Sequence, residues 1–152
     1  MNRILIATDG SPASREAVEF GVEIAEEHDA AVVFVHVIPP MDRVPMSGFG
    51  MVGAVRHEPS EHDREVIEEA EAVAEQHGVR ATTKLLCGNT VDEIVACADN
   101  LDVDLIVVGS RGHGALASAL LGSVSRGVLS ESKRPMAVIR GLASVETEVG
   151  AR

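Results

Sequence analysis

Short continuous apolar runs alternate along this chain with stretches in which apolar residues recur at helical spacing. Arg3 to Thr8 reads as a β-strand ending at Asp9-Gly10-Ser11-Pro12. Ser11 is placed to cap a helix whose first residue is Pro12, where a missing N–H does no harm. From Ala13 to His28, Ala17, Val18, Gly21, Val22, Ile24 and Ala25 share one face, and Glu16, Glu19, Glu23, Glu26 and Glu27 share the other. Ala30 to Ile38 is apolar almost throughout, as expected of a strand covered on both faces. Pro39-Pro40 ends it. Met41 to Pro59 shows no period; a stretch this long inside a compact domain is either a lid over a ligand or a disordered excursion.

Ser60 to His77 returns to helical spacing, through Val66, Ile67, Ala70, Val73 and Ala74, and Gly78 stops it. Val79 to Leu86 predicts a third strand. Thr90-x-x-Glu93 reads as a capping box opening a third helix, with Val91, Ile94, Val95 and Ala98 on its apolar face. Asp104 to Val108 predicts a fourth strand, Val124 to Ser130 a fourth helix and Pro135 to Arg140 a fifth strand. Strands alternating with helices predict one α/β domain, doubly wound and Rossmann-like, with a parallel sheet and helices on both faces. The domain is expected over 1–140, followed by a frayed polar tail over 141–152.

Composition narrows the function. The chain has 152 residues, enough for one domain with a full core. It carries 24 acidic residues against 13 basic ones, a net charge of −11, and Lys84 and Lys133 are its only lysines. Such a chain repels nucleic-acid backbones, and with three phenylalanines as its only aromatics it lacks a base-stacking platform. The acidity would suit a salt-rich cytoplasm, where screening relieves self-repulsion. No apolar run approaches the ~18 residues that span a bilayer, and the N-terminus runs straight into a strand, so a soluble cytoplasmic protein with no membrane association is expected. Cys87 and Cys97 are expected to be buried or half-buried reduced thiols. His36, in an apolar strand, is expected to be a satisfied structural histidine, and His113 lacks a second metal ligand at suitable spacing.

The chemistry concentrates after the fourth strand, in Val107-Val108-Gly109-Ser110-Arg111-Gly112-His113-Gly114 and then Leu120-Leu121-Gly122-Ser123-Val124-Ser125. Glycines let a backbone approach a ligand closely or take positive φ. Free N–H groups at the start of a helix favour a phosphate, and Ser123 and Ser125 add hydroxyls. A bland tight turn would explain the glycines equally well, and neither the P-loop pattern nor G-x-G-x-x-G after the first strand occurs. Arg111 reads either as a phosphate ligand or as a solvated loop residue, and Asp9 either as a ligand-facing residue or as a turn and cap residue.

The spacing Gly109-x2-Gly112-x9-Gly122-Ser123 resembles the ATP-binding signature of the universal stress protein family. Ile4-Leu5-Ile6-Ala7-Thr8-Asp9-Gly10-Ser11 and His36-Val37-Ile38 resemble the same family, and the likeness covers roughly residues 1 to 140. It implies the ATP-binding subclass and a five-stranded sheet of order 3-2-1-4-5. The topological switch between strands 1 and 4 is where open α/β sheets hold ligands. Carried over residue by residue, it implies that Ala7, Thr8 and Asp9 line the nucleoside side and that the Val37 backbone meets the adenine edge. Gly109, Ser110, Arg111 and Gly112 would follow the ribose and first phosphates, and Gly122, Ser123, Val124 and Ser125 would hold the outer ones. It further implies ATP with Mg2+ as ligand, a homodimer through the fifth strand, and a regulatory role in a stress response. A slow ATPase or nucleotide-transferring enzyme is the alternative, and a chaperone-like scaffold with a vestigial site is a second. No residue is assigned a catalytic or metal-binding role, and any hydrolysis is expected to be slow.

Overall fold

The computed structural model describes residues 1–40, 58–111 and 121–141. The expected long segment after the second strand therefore lies, over 41–57, outside the described residues, as do Gly112, His113 and the tail from 142 onward. The described elements are β1 (Arg3–Ala7), α1 (Pro12–His28), β2 (Ala31–Ile38), α2 (Glu61–Gln76), β3 (Ala81–Cys87), α3 (Thr90–Asn100), β4 (Leu105–Gly109), α4 (Ser123–Glu131) and β5 (Met136–Ile139). They form one parallel sheet of order β3-β2-β1-β4-β5. The expected α/β fold and strand order are both present.

Alternation along the strands divides the core in two. Ile4, Ile6, Val32, Phe34 and Val107 face one side, against Ala17, Val18, Val22 and Ala25 of α1 and Ala70 and Ala74 of α2. Leu5, Val33, Val35, Val37, Ile106 and Val108 face the other, against Ile94, Cys97 and Ala98 of α3 and Val128 of α4. Central strands buried on both faces explain why β2 is apolar almost throughout. By contrast β3 is an edge and mostly exposed. Cys87 at its end is accordingly exposed rather than buried or half-buried as expected, while Cys97 is buried, within that expectation, and burial pushes its thiol up.

Helix starts are local and readable. The Ser11 hydroxyl accepts from Ser14 N–H with Pro12 following, as the sequence predicts. Ser60 and Asp63 form a reciprocal capping box on α2. At α3 the expectation needs correcting: the cap is Asn89, whose side chain accepts from Asp92 N–H, and Thr90 is already helical. The start of β1 is tied to β4 by the Asp104 carboxylate, which accepts from Asn2 and Arg3 N–H at 2.6 and 2.9 Å.

Candidate functional site

Beyond the carboxyl ends of β1 and β4, where strand order reverses, the chain leaves an open crevice of about 70 Å³. Its lining includes Ala7, Thr8 and Asp9 from the β1 end, Val37 from β2, Gly109 and Arg111 from the β4 end, and Val124 from α4. These are seven of the twelve residues expected at the site. Ser14, Val35, Thr90, Ile94 and Val108 complete the lining and were not anticipated. Ser14 and Thr90 belong to first turns of helices, where helical periodicity does not say which way a polar side chain will face. The volume is below the ~300 Å³ of an enclosed ligand site, so an occupant would lie in an open groove.

The β1–α1 turn is held by its own polar groups. Asp9 Oδ1 accepts from Ser11 N–H at 2.9 Å, so Asp9 both closes the turn and lines the crevice. Ser14 donates its hydroxyl proton to the Ser11 carbonyl at 3.0 Å, which leaves Thr8 to donate to Ser14 Oγ at 3.1 Å. Gly10 takes φ +78°, a left-handed conformation that glycine adopts without strain.

On the β2 side, Thr8 N–H donates to the Val35 carbonyl at 2.9 Å, the last bond of the β1–β2 ladder. Backbone polar groups of a strand alternate sides, so Val37 directs its N–H and C=O toward the β1 side, beyond the end of that ladder. Ile38 correspondingly faces β3, its carbonyl accepting from Gly88 N–H at 3.1 Å.

The β4 side differs in detail from the sequence reading. A Cβ on Gly109 would come within 2.8 Å of Ala13 C and Ser14 N, so this glycine admits the backbone of α1. Ser110 is buried, donating N–H to the Ile139 carbonyl at 2.7 Å and accepting from Gly122 N–H, and it does not line the crevice. The Ser125 hydroxyl is turned inward, toward the Gly122 and Ser110 carbonyls at 3.1 and 3.3 Å, so it is not the outward donor expected. Gly122 has φ −69°, a value open to any residue, and it starts α4 with no side-chain cap. The other three described helices all have one. The first-turn N–H groups of Ser123, Val124 and Ser125 precede the first intrahelical bond, made by Arg126 N–H to the Gly122 carbonyl. Arg111 is exposed and is the one cationic side chain in the lining among the described residues.

Beside the crevice stands a largely buried histidine–carboxylate pair. His36 Nδ1 lies 2.9 Å from the Thr8 carbonyl and Nε2 lies 2.7 Å from Asp63 Oδ1. Asp63 Oδ2 accepts from Ser60 N–H and its hydroxyl at 2.8 and 2.6 Å. Burial alone would raise the Asp63 carboxyl, but hydrogen bonds from the Ser60 hydroxyl, His36 and the Ser60 N–H outweigh it and hold the pKa at about 2. The expectation that His36 is a satisfied structural histidine is met. Its partner, 27 residues away, could not be read from the sequence.

Residues 1–140 match the sequence profile of the Universal stress protein family. The chain belongs to that family. It is 33% identical over 138 residues to a universal stress protein of Methanocaldococcus jannaschii, covering 91% of this chain and 81% of that one. A crystal structure of a universal stress protein in complex with cAMP superposes with a TM-score of 0.67 at 27% identity, covering 91% of this chain and 95% of that one. The universal stress protein of Archaeoglobus fulgidus in complex with dAMP gives a TM-score of 0.67 at 25% identity, covering 91% and 97%. No helix among the described residues is long and apolar enough to cross a membrane.

Proposed function

We propose that the crevice binds ATP with Mg2+ and that residues 1–140 act as a nucleotide-dependent, homodimeric regulatory module in a cytoplasmic stress response. The observation that carries this reading is the meeting, at one switch point, of an outward-facing Val37 peptide, the Asp9 turn and the uncapped start of α4. The Val37 N–H and C=O suit an adenine edge, a donor and acceptor pair that needs no side chain. Ala7, Thr8 and Asp9 border the nucleoside, and Gly109, Arg111 and Gly112 the ribose and inner phosphates. The start of α4 at Gly122 offers the helix dipole and the backbone N–H groups of Ser123, Val124 and Ser125 to the outer phosphates. The solved relatives with cAMP and dAMP support an adenine nucleotide as the ligand class.

Mg2+ fits as a passenger on the phosphates. It keeps several waters and takes one or two carboxylates, and Asp9 is the single carboxylate in the described lining. Among the described residues no group of three or more metal-ligating side chains is assembled. Backbone amides bind a ground-state phosphate but add little for a transition state, so nucleotide acts here as ligand rather than substrate.

Calorimetric titration with ATP and Mg2+ should give saturable binding, and AMP should bind about tenfold more weakly because it lacks the groups that reach α4. No heat and no thermal shift at millimolar ATP would remove the proposal. Equal affinity for AMP and ATP would remove the α4 assignment alone.

The dimer is proposed through β5, which among the described strands pairs only with β4 and is half-buried along its length. Pairing with a second copy would cover that open edge. Val138→Pro deletes an N–H from this edge and should convert dimer to monomer in sedimentation at micromolar concentration. A native protein already monomeric there would refute the interface.

A further inference from the structure

The His36–Asp63 pair occupies a place the nucleotide reading does not use. His36 stands on β2 directly before Val37, its ring reaches the end of β1, and its partner caps α2. Both ring nitrogens face oxygen atoms. A carbonyl can only accept, so Nδ1 carries a proton. The Asp63 carboxylate faces Nε2 at 2.7 Å and holds the ring from its other side. The hydrogen bond donated to the Thr8 carbonyl polarises the peptide behind it.

We propose that His36 is a positioning residue for the crevice: its Nδ1–H fixes the plane of the Thr8–Asp9 peptide, and Asp63 fixes the ring. This rests on the nucleotide reading above. Thr8 and Asp9 both line the crevice, and their shared peptide is the point where β1 leaves the sheet. The Thr8 carbonyl held toward His36 directs the Asp9 N–H the opposite way, toward Ser14 Oγ at 3.4 Å in the crevice lining. Without the ring, that peptide would keep only its long Asp9 N–H contact to Ser14 Oγ before a ligand arrived, and binding would have to order it. The Asp63 side works at one remove. It keeps the ring oriented, and through Ser60 it ties the ring to the first turn of α2.

Two half-bridges separate these links in the full-length protein. His36→Asn places an amide N–H near Nδ1 and keeps the Thr8 link while losing Asp63. His36→Gln reaches Asp63 but loses Thr8. Both should unfold at lower temperature than wild type, yet only His36→Gln should weaken ATP binding, by about tenfold, with His36→Asn within about threefold of wild type. If His36→Gln binds ATP as wild type does, or if both variants lose affinity equally, the positioning role is wrong. If wild type itself fails to bind ATP, the nucleotide reading falls instead. Nitrogen-15 NMR of the wild-type His36 ring needs no variant. Nδ1 should carry a proton, and its resonance should shift on adding ATP more than that of Nε2 does. An Nδ1 without a proton, or an Nδ1 resonance indifferent to ATP in a protein that binds it, would overturn the proposal.

Discussion

Asp63→Ala should lower the unfolding free energy by about 2–3 kcal/mol at pH 7, read from urea melts against wild type. The carboxyl is lowered from 3.8 to about 2 on folding, which corresponds to about 2 kcal/mol of preferential stabilisation of the charged form. Loss of the α2 cap contributes part of the same effect and extends it. The alanine variant also leaves Nε2 of a buried ring without its hydrogen-bond partner. The sign of the pH dependence follows from the depressed pKa. Stability from Asp63 is fully present above the unfolded-state value near 4 and is lost as pH falls through about 2. The gap between wild type and Asp63→Ala should therefore narrow on acidification from pH 4 to pH 2. A gap that stays constant over that range would show that the carboxylate adds nothing beyond its bulk.

Gly109→Ala should cost about 1–3 kcal/mol and weaken ATP binding as well. The new methyl group would lie 2.8 Å from Ala13 C and Ser14 N and 2.9 Å from Ala13 O. These are backbone atoms at the start of α1, which cannot swing aside as a flexible side chain would. Relief requires α1 to move away from β4, and that movement carries Ser14 off its bonds to Thr8 and Asp9 in the crevice wall. Urea melts and a calorimetric ATP titration on one preparation would check both parts. A variant of native stability would show that the β4–α1 contact yields without strain.

Gly109 illustrates how far the sequence could be read. It stood out in the glycine pattern and it does border the crevice, but the neighbour that excludes a side chain is another helix. Adjacency to α1 arises only when the sheet is assembled, so a linear pattern cannot distinguish the two reasons for a glycine. The strands and helices themselves were legible, because burial on two faces gives β2 its apolar run and burial on one face gives α1 its stripe. The α3 cap was misplaced by one residue because Asn89 and Thr90 are both good caps, and side-chain geometry decided for Asn89. Ser125 was expected to face outward, yet its hydroxyl turns in toward two carbonyls that periodicity does not reveal. Cys87 was expected to be at least half covered. It lies on an edge strand, and strand order came only with the family resemblance.

The position of β1 between β2 and β4 also governs how the crevice comes into being. Residues 1–88 already contain β1, β2 and β3, which are neighbours in the sheet and close in sequence. The other wall needs β4, whose Leu105 pairs with Ile4 about a hundred residues earlier. Closing that long loop is entropically the slow step. On a ribosome, a three-stranded half-sheet exposing one side of β1 would therefore precede any ligand site. Ligand, then, can assist only the last stage of folding, after both halves have met.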